Sequence, residues 1–333
     1  MISMLASCNL PRIEFAQATA TAVQTVTPVG VTPTDTSPPP FPTVELGLAE
    51  NPLILALPPS TDSSEAIEAA KVIASQFTER TGYTVVTVVP ESYTALLDAL
   101  AMGNAHIVVL DPYAYELAFQ RGLVRAAYAL LEEEEGKYGA QFLASRRGRF
   151  TSYFDEGTGN NLTDDPRVAL EQFADKKPCW SDEISPSGYV VPSGYLNANQ
   201  IVTKPAAFVE GHPTVVRSLY ASGICDFGAT YIDARKFPSL EDEFPDLIEQ
   251  VMVVWQIPAI IPYDVVAFST NMSPGMRDLF TNLVPAIMQT EAGKAAFKTA
   301  YDIEELELVN DGYYEDFRIY VRESGVDLTT LVK

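Results

Sequence analysis

Residues 185–188, Ser-Pro-Ser-Gly, stand directly ahead of the apolar run Tyr-Val-Val and have the composition of a helix start able to hold an anion. Ser185 is a natural N-cap, and Pro186 falls at the first helical position, where its missing N–H is no loss. The N–H groups of Ser187 and Gly188 then have no partner within the helix and point outward with the positive end of its dipole. A tetrahedral oxyanion would accept bonds from them and from the hydroxyls of Ser185 and Ser187. Ordinary capping by Ser185, with no ligand involved, is the competing reading of the same residues. The rest of the composition sharpens the question, because 44 acidic residues face 22 basic ones in 333, a net charge of −22. That balance excludes nucleic acid as a partner, since nothing would neutralise a row of phosphates. Its effect on a small anion is screened beyond roughly 8–10 Å at physiological salt. Affinity is decided inside the site, where each hydrogen bond to a charged group is worth about 1.5–3 kcal/mol. No nucleophile elbow, P-loop, dinucleotide fingerprint or zinc-ligand spacing occurs. With two histidines in the chain, neither a metal site nor a cofactor is expected, and binding rather than catalysis is the expected activity.

The three cysteines are Cys8, Cys179 and Cys225. Cys8 closes "LASC", which looks like the lipobox of bacterial lipoproteins, where the cysteine is acylated and becomes the mature N-terminus. The preceding residues lack the basic segment and the apolar stretch of a secretion signal. Residues 17–47 are rich in threonine and proline and nearly uncharged, the composition of an extended tether. We therefore expect a residual lipoprotein signal over 1–8, a tether over 9–50, and a globular body lipid-anchored outside the cytoplasm. Cys179 and Cys225 would then remain in an oxidising compartment, as a disulfide or as two buried thiols.

The elements that position the serine-rich turn follow from residue 51 onward. "PLILALPP", "YTVVTVVP" and "AHIVVLD" read as buried strands,. Between them lie "STDSSEAIEAAKVIASQFTERTG" and "ESYTALLDALAMGN", helices closed by Gly82 and Gly103,. This β-α-β-α-β order predicts an α/β fold with a mainly parallel sheet flanked by helices. "EEEE" at 132–135 reads as a solvated helix end. Residues 138–146 and 176–182 read as strands, and 150–170 as a polar surface loop. Residues 208–230 give a helix, a glycine turn and a strand, and 251–268 give two strands with a joint. No apolar run reaches the length of a membrane span.

Four stretches in this order carry a resemblance: "ESYTALLDALAMGNAHIVVLDPYAY", "SPSGYVVPSGYL", "GHPTVVRSLYASGICDFGATYIDA" and "IPAIIPYDVVAF". From about residue 51 to 320 the chain resembles the solute-binding proteins of phosphonate, phosphite and phosphate ABC importers, which have the two-lobed type II periplasmic-binding-protein fold. The resemblance implies lobe one over 51–147 plus 263–333 and lobe two over 148–262, with the ligand between them and any Cys179–Cys225 disulfide inside lobe two. Family members commonly show Ser-Thr-Ser-Gly at the cradle, and Pro186 removes one hydroxyl and one N–H from that set.

The same resemblance implies further site residues. Tyr93 and Tyr138 match cleft-lining tyrosines, with packing roles as the alternative. His212 matches a histidine that approaches the anion, against a plain surface residue at a helix start. Asp233 and Asp264 match acids that face the ammonium of an aminoalkylphosphonate, against structural acids capping turns. Carboxylates beside a bound dianion are unfavourable unless the ligand brings a cation or a proton of its own. 2-Aminoethylphosphonate brings an ammonium, and protonated phosphate or phosphite an O–H. Asp226 reads as a framework residue. The implied partners are a small oxyanion and an ABC permease in the membrane, with the binding protein itself a monomer. A binder of sulfonates, thiamine precursors or another solute on the same fold, or a tethered sensor, are the other readings.

Overall fold

The computed structural model describes residues 44–59 and 61–332. Cys8 and residues 9–43 of the expected tether lie outside the described residues. Packing begins earlier than residue 51: Leu46 lies against the core, and the Gly47 carbonyl accepts from Thr84 N–H at 2.7 Å.

The chain runs β1 (Leu53–Ala56), α1 (Ser64–Thr81), β2 (Val85–Val88), α2 (Tyr93–Met102), β3 (Ile107–Leu110), α3 (Pro112–Gln120) and β4 (Val124–Leu131). It continues through β5 (Lys137–Ser145), β6 (Phe154–Asp155), β7 (Asn160–Asn161), α4 (Pro166–Leu170), β8 (Pro178–Trp180), α5 (Val191–Ala198), β9 (Ala207–Phe208), α6 (His212–Ala221) and β10 (Phe227–Tyr231). The remainder is α7 (Pro238–Glu243), α8 (Leu247–Gln250), β11 (Val251–Pro262), β12 (Val265–Ser269), α9 (Pro274–Met288), α10 (Glu291–Tyr301), β13 (Glu305–Leu308), α11 (Glu315–Ser324) and α12 (Leu328–Leu331). Helices α1 and α2 end as the glycines require, with Gly82 and Gly103 at φ 76° and 75°, a conformation that other residues adopt only at a cost.

Two helix-covered sheets result, six strands in the order β13-β4-β12-β3-β1-β2 and five in the order β11-β5-β10-β8-β9. Both are mixed rather than mainly parallel. In the first sheet β1 pairs in parallel with β2 and β3, while β12 and β13 pair antiparallel. In the second, β10–β8 and β8–β9 are parallel and β5 is antiparallel to both neighbours. Apart from the small β6–β7 pair, every antiparallel pair includes β4, β5, β11 or β12, the strands that flank the passages between the sheets. Strand β3 shows why the first sheet is legible: Ile107 and Val109 face the core under α1, α9 and α10, and Val108 and Leu110 that under α2 and α3. Both faces are covered, so the strand is apolar throughout.

Three expectations need correction. The lobe boundary expected at residue 147 puts β5 in lobe one, yet this strand pairs with β10 and β11 in the second sheet, so the division falls near residue 136. The C-terminal segment does not stay with the first sheet either. Tyr320 of α11 stacks on Tyr195 of α5 at 3.7 Å, and Asn197 Nδ2 donates to the Glu323 carbonyl at 3.0 Å. The polar insertion at 150–170 is no free loop: Trp255 Nε1 donates to the Thr163 carbonyl at 3.0 Å, and Asn161 exchanges bonds with the Gln256 backbone at 2.8 and 2.9 Å.

The Cys179–Cys225 disulfide is formed, with Cα atoms 5.6 Å apart. It joins β8 to the turn ahead of β10, beside Val215 and Leu219 of α6.

Candidate functional site

A cavity of about 450 Å³ opens between the sheets, lined by Pro112, Glu132, Tyr138, Pro186, Ser187, His212, Tyr231, Ile232, Pro262, Tyr263 and Asp264. Its position follows from topology. Pro112 follows the carboxyl end of β3, and Tyr231 and Ile232 lie at that of β10, where open α/β sheets place their ligands. Pro186 and Ser187 come from the turn ahead of α5 and His212 from the start of α6, and the remaining contributors sit on or beside the two chain crossings, one between β4 and β5 and one between β11 and β12. These run side by side: Leu130 N–H donates to the Asp264 carbonyl at 3.0 Å and Tyr263 N–H to the Gly136 carbonyl at 3.4 Å.

One wall is the serine turn. Residues 186–190 make a π-helical turn that runs into α5, with Val190 N–H donating to the Ser185 carbonyl five residues back at 3.0 Å. The prolines account for the irregularity. Pro192 has no N–H for the Gly188 carbonyl four residues earlier, and Ser181 N–H bonds that carbonyl instead at 3.3 Å. Single π turns of this kind recur at functional sites. The expected free N–H of Gly188 is a different matter: it donates to Ser185 Oγ at 3.0 Å, which is the ordinary cap. Gly188 itself is needed for space, because a Cβ there would lie 1.9 Å from Ser181 Oγ and 2.9 Å from the His212 ring. Ser181 Oγ and His212 Nδ1 are both buried without a hydrogen-bond partner. His212 opens α6, its Nε2 is 3.4 Å from Ser185 Oγ, and its ring meets that of Tyr231 edge-on at 4.8 Å. Burial lowers its pKa, against the pull of Asp182, so the ring is neutral at pH 7. Tyr138 stacks on Tyr263 at 5.1 Å, and burial raises its pKa, with the neighbouring Ser187 opposing the rise.

The facing wall is acidic. Burial pushes the Asp264 pKa up to about 7, with Asp111 and Glu132 adding to the effect. Asp111 caps α3 by accepting from Tyr113 and Ala114 N–H at 2.8 and 2.9 Å. Tyr93 does not line the cavity; burial raises its pKa, with the charges of Asp111 and Asp264 adding to the effect. Among the described residues, no lysine or arginine lines the cavity, and no group of acidic, histidine or cysteine side chains is arranged to hold a metal ion.

Thus Tyr138, Ser187, His212 and Asp264 come together, with Ser185 and Gly188 immediately behind Ser187. Asp233 does not join them. Its carboxylate accepts from Arg235 at 2.7 and 3.0 Å and from Gln141 Nε2 at 2.7 Å. Burial alone would raise its pKa, but the Arg235 guanidinium and the Gln141 amide outweigh that and hold it below the usual carboxylate range. Asp226 serves as framework, accepting from Lys177 N–H at 2.7 Å.

Glu132 and Tyr263 were missed by sequence reasoning. "EEEE" is not a helix end but a tight reverse turn between strands of different sheets, in which Glu132 and Glu135 exchange backbone bonds of 3.0 and 2.9 Å and Glu133 and Glu134 sit at φ 51° and 69°. The available signal was the pair of apolar segments on either side, "VRAAYALL" and "KYGAQFLAS", joined by a short polar link.

The family described as "ABC transporter, phosphonate, periplasmic substrate-binding protein" matches residues 55–314. The chain belongs to that family. Among curated proteins it is 26% identical over 215 residues to the phosphate-import protein PhnD of Mycolicibacterium smegmatis, a match covering 61% of this chain. The chain spans 62% of the length of that relative. Among solved structures, the XAC2383 protein of Xanthomonas citri bound to ATP superposes with a TM-score of 0.57 at 15% identity, covering 82% of this chain and 98% of that one. The same protein bound to chloride gives 0.56 at 16% over the same coverage. These likenesses establish the fold, a two-lobed α/β architecture of the type II periplasmic-binding-protein class. Members of the phosphonate-binding family are substrate-binding components of transporters, and no helix among the described residues is long and apolar enough to cross a membrane.

Proposed function

We propose that this chain is the extracytoplasmic binding component of an ABC importer and captures an aminoalkylphosphonate such as 2-aminoethylphosphonate between its sheets. The observation that carries the reading is a single cavity with hydroxyl and neutral imidazole groups on one wall and the unpaired carboxyl of Asp264 on the other. The phosphonate oxygens accept bonds from Ser187, Tyr138 and His212. Rotation of the Ser185 hydroxyl onto the anion releases the Gly188 N–H as a further donor, at the helix end whose dipole favours negative charge. The ammonium faces Asp264. A micromolar complex needs about 8 kcal/mol net of association costs, within reach of five or six charge-assisted bonds worth about 1.5–3 kcal/mol each. The protein works as a monomer that delivers ligand to a membrane permease, held near it by an acylated Cys8. Its role is capture and delivery rather than catalysis, in keeping with a family of transporter substrate-binding proteins.

The pKa of Asp264, about 7, favours a second reading. A carboxyl half-protonated at neutral pH can donate to a phosphate or phosphite oxygen, or accept from the O–H of the protonated anion. Titration calorimetry with 2-aminoethylphosphonate, methylphosphonate, phosphite and phosphate separates the two. The first reading expects 2-aminoethylphosphonate to bind best and Asp264→Asn to abolish that preference. Tighter binding of phosphate, weakened by Asp264→Asn, moves the assignment to the second. Absence of binding by all four ligands sinks both.

A further inference from the structure

The family resemblance supplies two acids for a ligand's positive end, at 233 and 264, and the tertiary structure withdraws the first, which is bonded to the buried Arg235. A different carboxylate faces the cavity with Asp264. Glu132, an exposed residue, lines it along with Tyr138, Ser187 and Tyr263, and its charge adds to burial in raising the pKa values of Tyr263 and Asp264. Its backbone is held by the reciprocal bonds to Glu135. The crossing that bears it is laced to the one bearing Asp264 through Leu130–Asp264 and Tyr263–Gly136. The relation between the two acids is therefore set by paired backbone, not by a free loop. Glu132 also stands on the rim of an outer acidic depression, but the lysine there, Lys298, is taken by Asp302 and Glu304 at 2.5 and 2.7 Å. Among the described residues, no basic side chain pairs with Glu132 and none lines the cavity to neutralise it. Two carboxylates without a protein cation, and without the ligand geometry of a metal ion, match the several N–H donors and the single charge of an alkylammonium.

We propose that Glu132 is a specificity-determining residue: with Asp264 it grips the ammonium of an amine-bearing phosphonate and turns away phosphonates that carry no positive charge. This rests on the phosphonate reading above. The discriminating pair of ligands is 2-aminoethylphosphonate and ethylphosphonate, which share the phosphonate and the two-carbon chain and differ in the amine. Calorimetry on the wild type and Glu132→Gln, with melting curves to show that both are folded, tests the inference. Glu132→Gln loses roughly ten-fold or more in affinity for 2-aminoethylphosphonate, as expected for one charged hydrogen bond, while ethylphosphonate binds as well as before or better. An equal loss for both ligands, or none for either, overturns the role of Glu132 and leaves the phosphonate reading standing. Failure of the wild type to bind either compound overturns that reading and this inference with it.

Discussion

Asp264 and Asp233 show how burial acts oppositely on two carboxylates of one chain. Asp264 has acidic neighbours, Asp111 and Glu132, and no cation, so its pKa is pushed up to about 7. Asp233 has Arg235, and its pKa is held down. The consequences for stability have opposite signs. For Asp264 the folded pKa lies above the unfolded one, so its contribution is full below about pH 4 and is lost as pH rises through about 7. For Asp233 the contribution is present above about pH 4 and is lost as pH falls through its lower folded value. Asp264→Asn should therefore raise the melting temperature of the ligand-free protein at pH 8, corresponding to about 1–2 kcal/mol after solvent screening is allowed for. It should leave the protein unchanged near pH 4, as melting curves across that range would show. A variant with an undiminished slope between pH 4 and 7 would mean that another group titrates there.

Among the elements, the second sheet depends on a covalent tie more than the first does. Its β8 and β9 strands are short, three and two residues, and the disulfide fastens β8 to the segment ahead of β10 across 46 residues of chain. Closing a loop of that length stabilises a fold by about 2–4 kcal/mol, chiefly by restricting the unfolded chain. Replacing Cys179 and Cys225 together by serine should lower the unfolding free energy by about that amount in denaturant titration. The largest rise in amide exchange should fall in β8 and α6, with β1 and β3 of the other sheet little affected. A uniform rise across both sheets would show that the two unfold as one unit.

For the whole molecule, the connections between the sheets and the proposed site share residues. The crossings that carry Glu132 and Asp264 also connect the sheets, so under the proposed reading a ligand held there and by Ser187 and His212 would bridge the two sheets and draw them together. A third link, from β13 to α11, is anchored on the first sheet by Asp311, which accepts from Tyr115 Oη at 2.6 Å and Ala126 N–H at 2.9 Å. Saturating 2-aminoethylphosphonate should reduce the radius of gyration in small-angle scattering, and a hundred-fold excess over Kd should add about 2.7 kcal/mol of apparent stability. Stabilisation without contraction would mean that ligand binds one lobe and leaves the gap open.

The local sequence determined a good part of this protein. Capping residues and glycines set the ends of α1 and α2, and the all-apolar β3 announced a sheet covered on both faces, because these signals act between residues close along the chain. The serine turn and its cap at Ser185 were legible for the same reason. Tertiary structure decided what depends on residues distant in sequence. Strand β5 joins the second sheet because β10 and β11 offer it hydrogen bonds, and α11 follows Tyr195 rather than the sheet that precedes it. Asp233 and Asp264 occupy equally promising local contexts. The first is claimed by Arg235 and Gln141, and the second is left without a cation because folding brings Asp111 and Glu132 beside it. A carboxylate's role is set by the charges within a few ångströms, and no local pattern encodes which charges those will be.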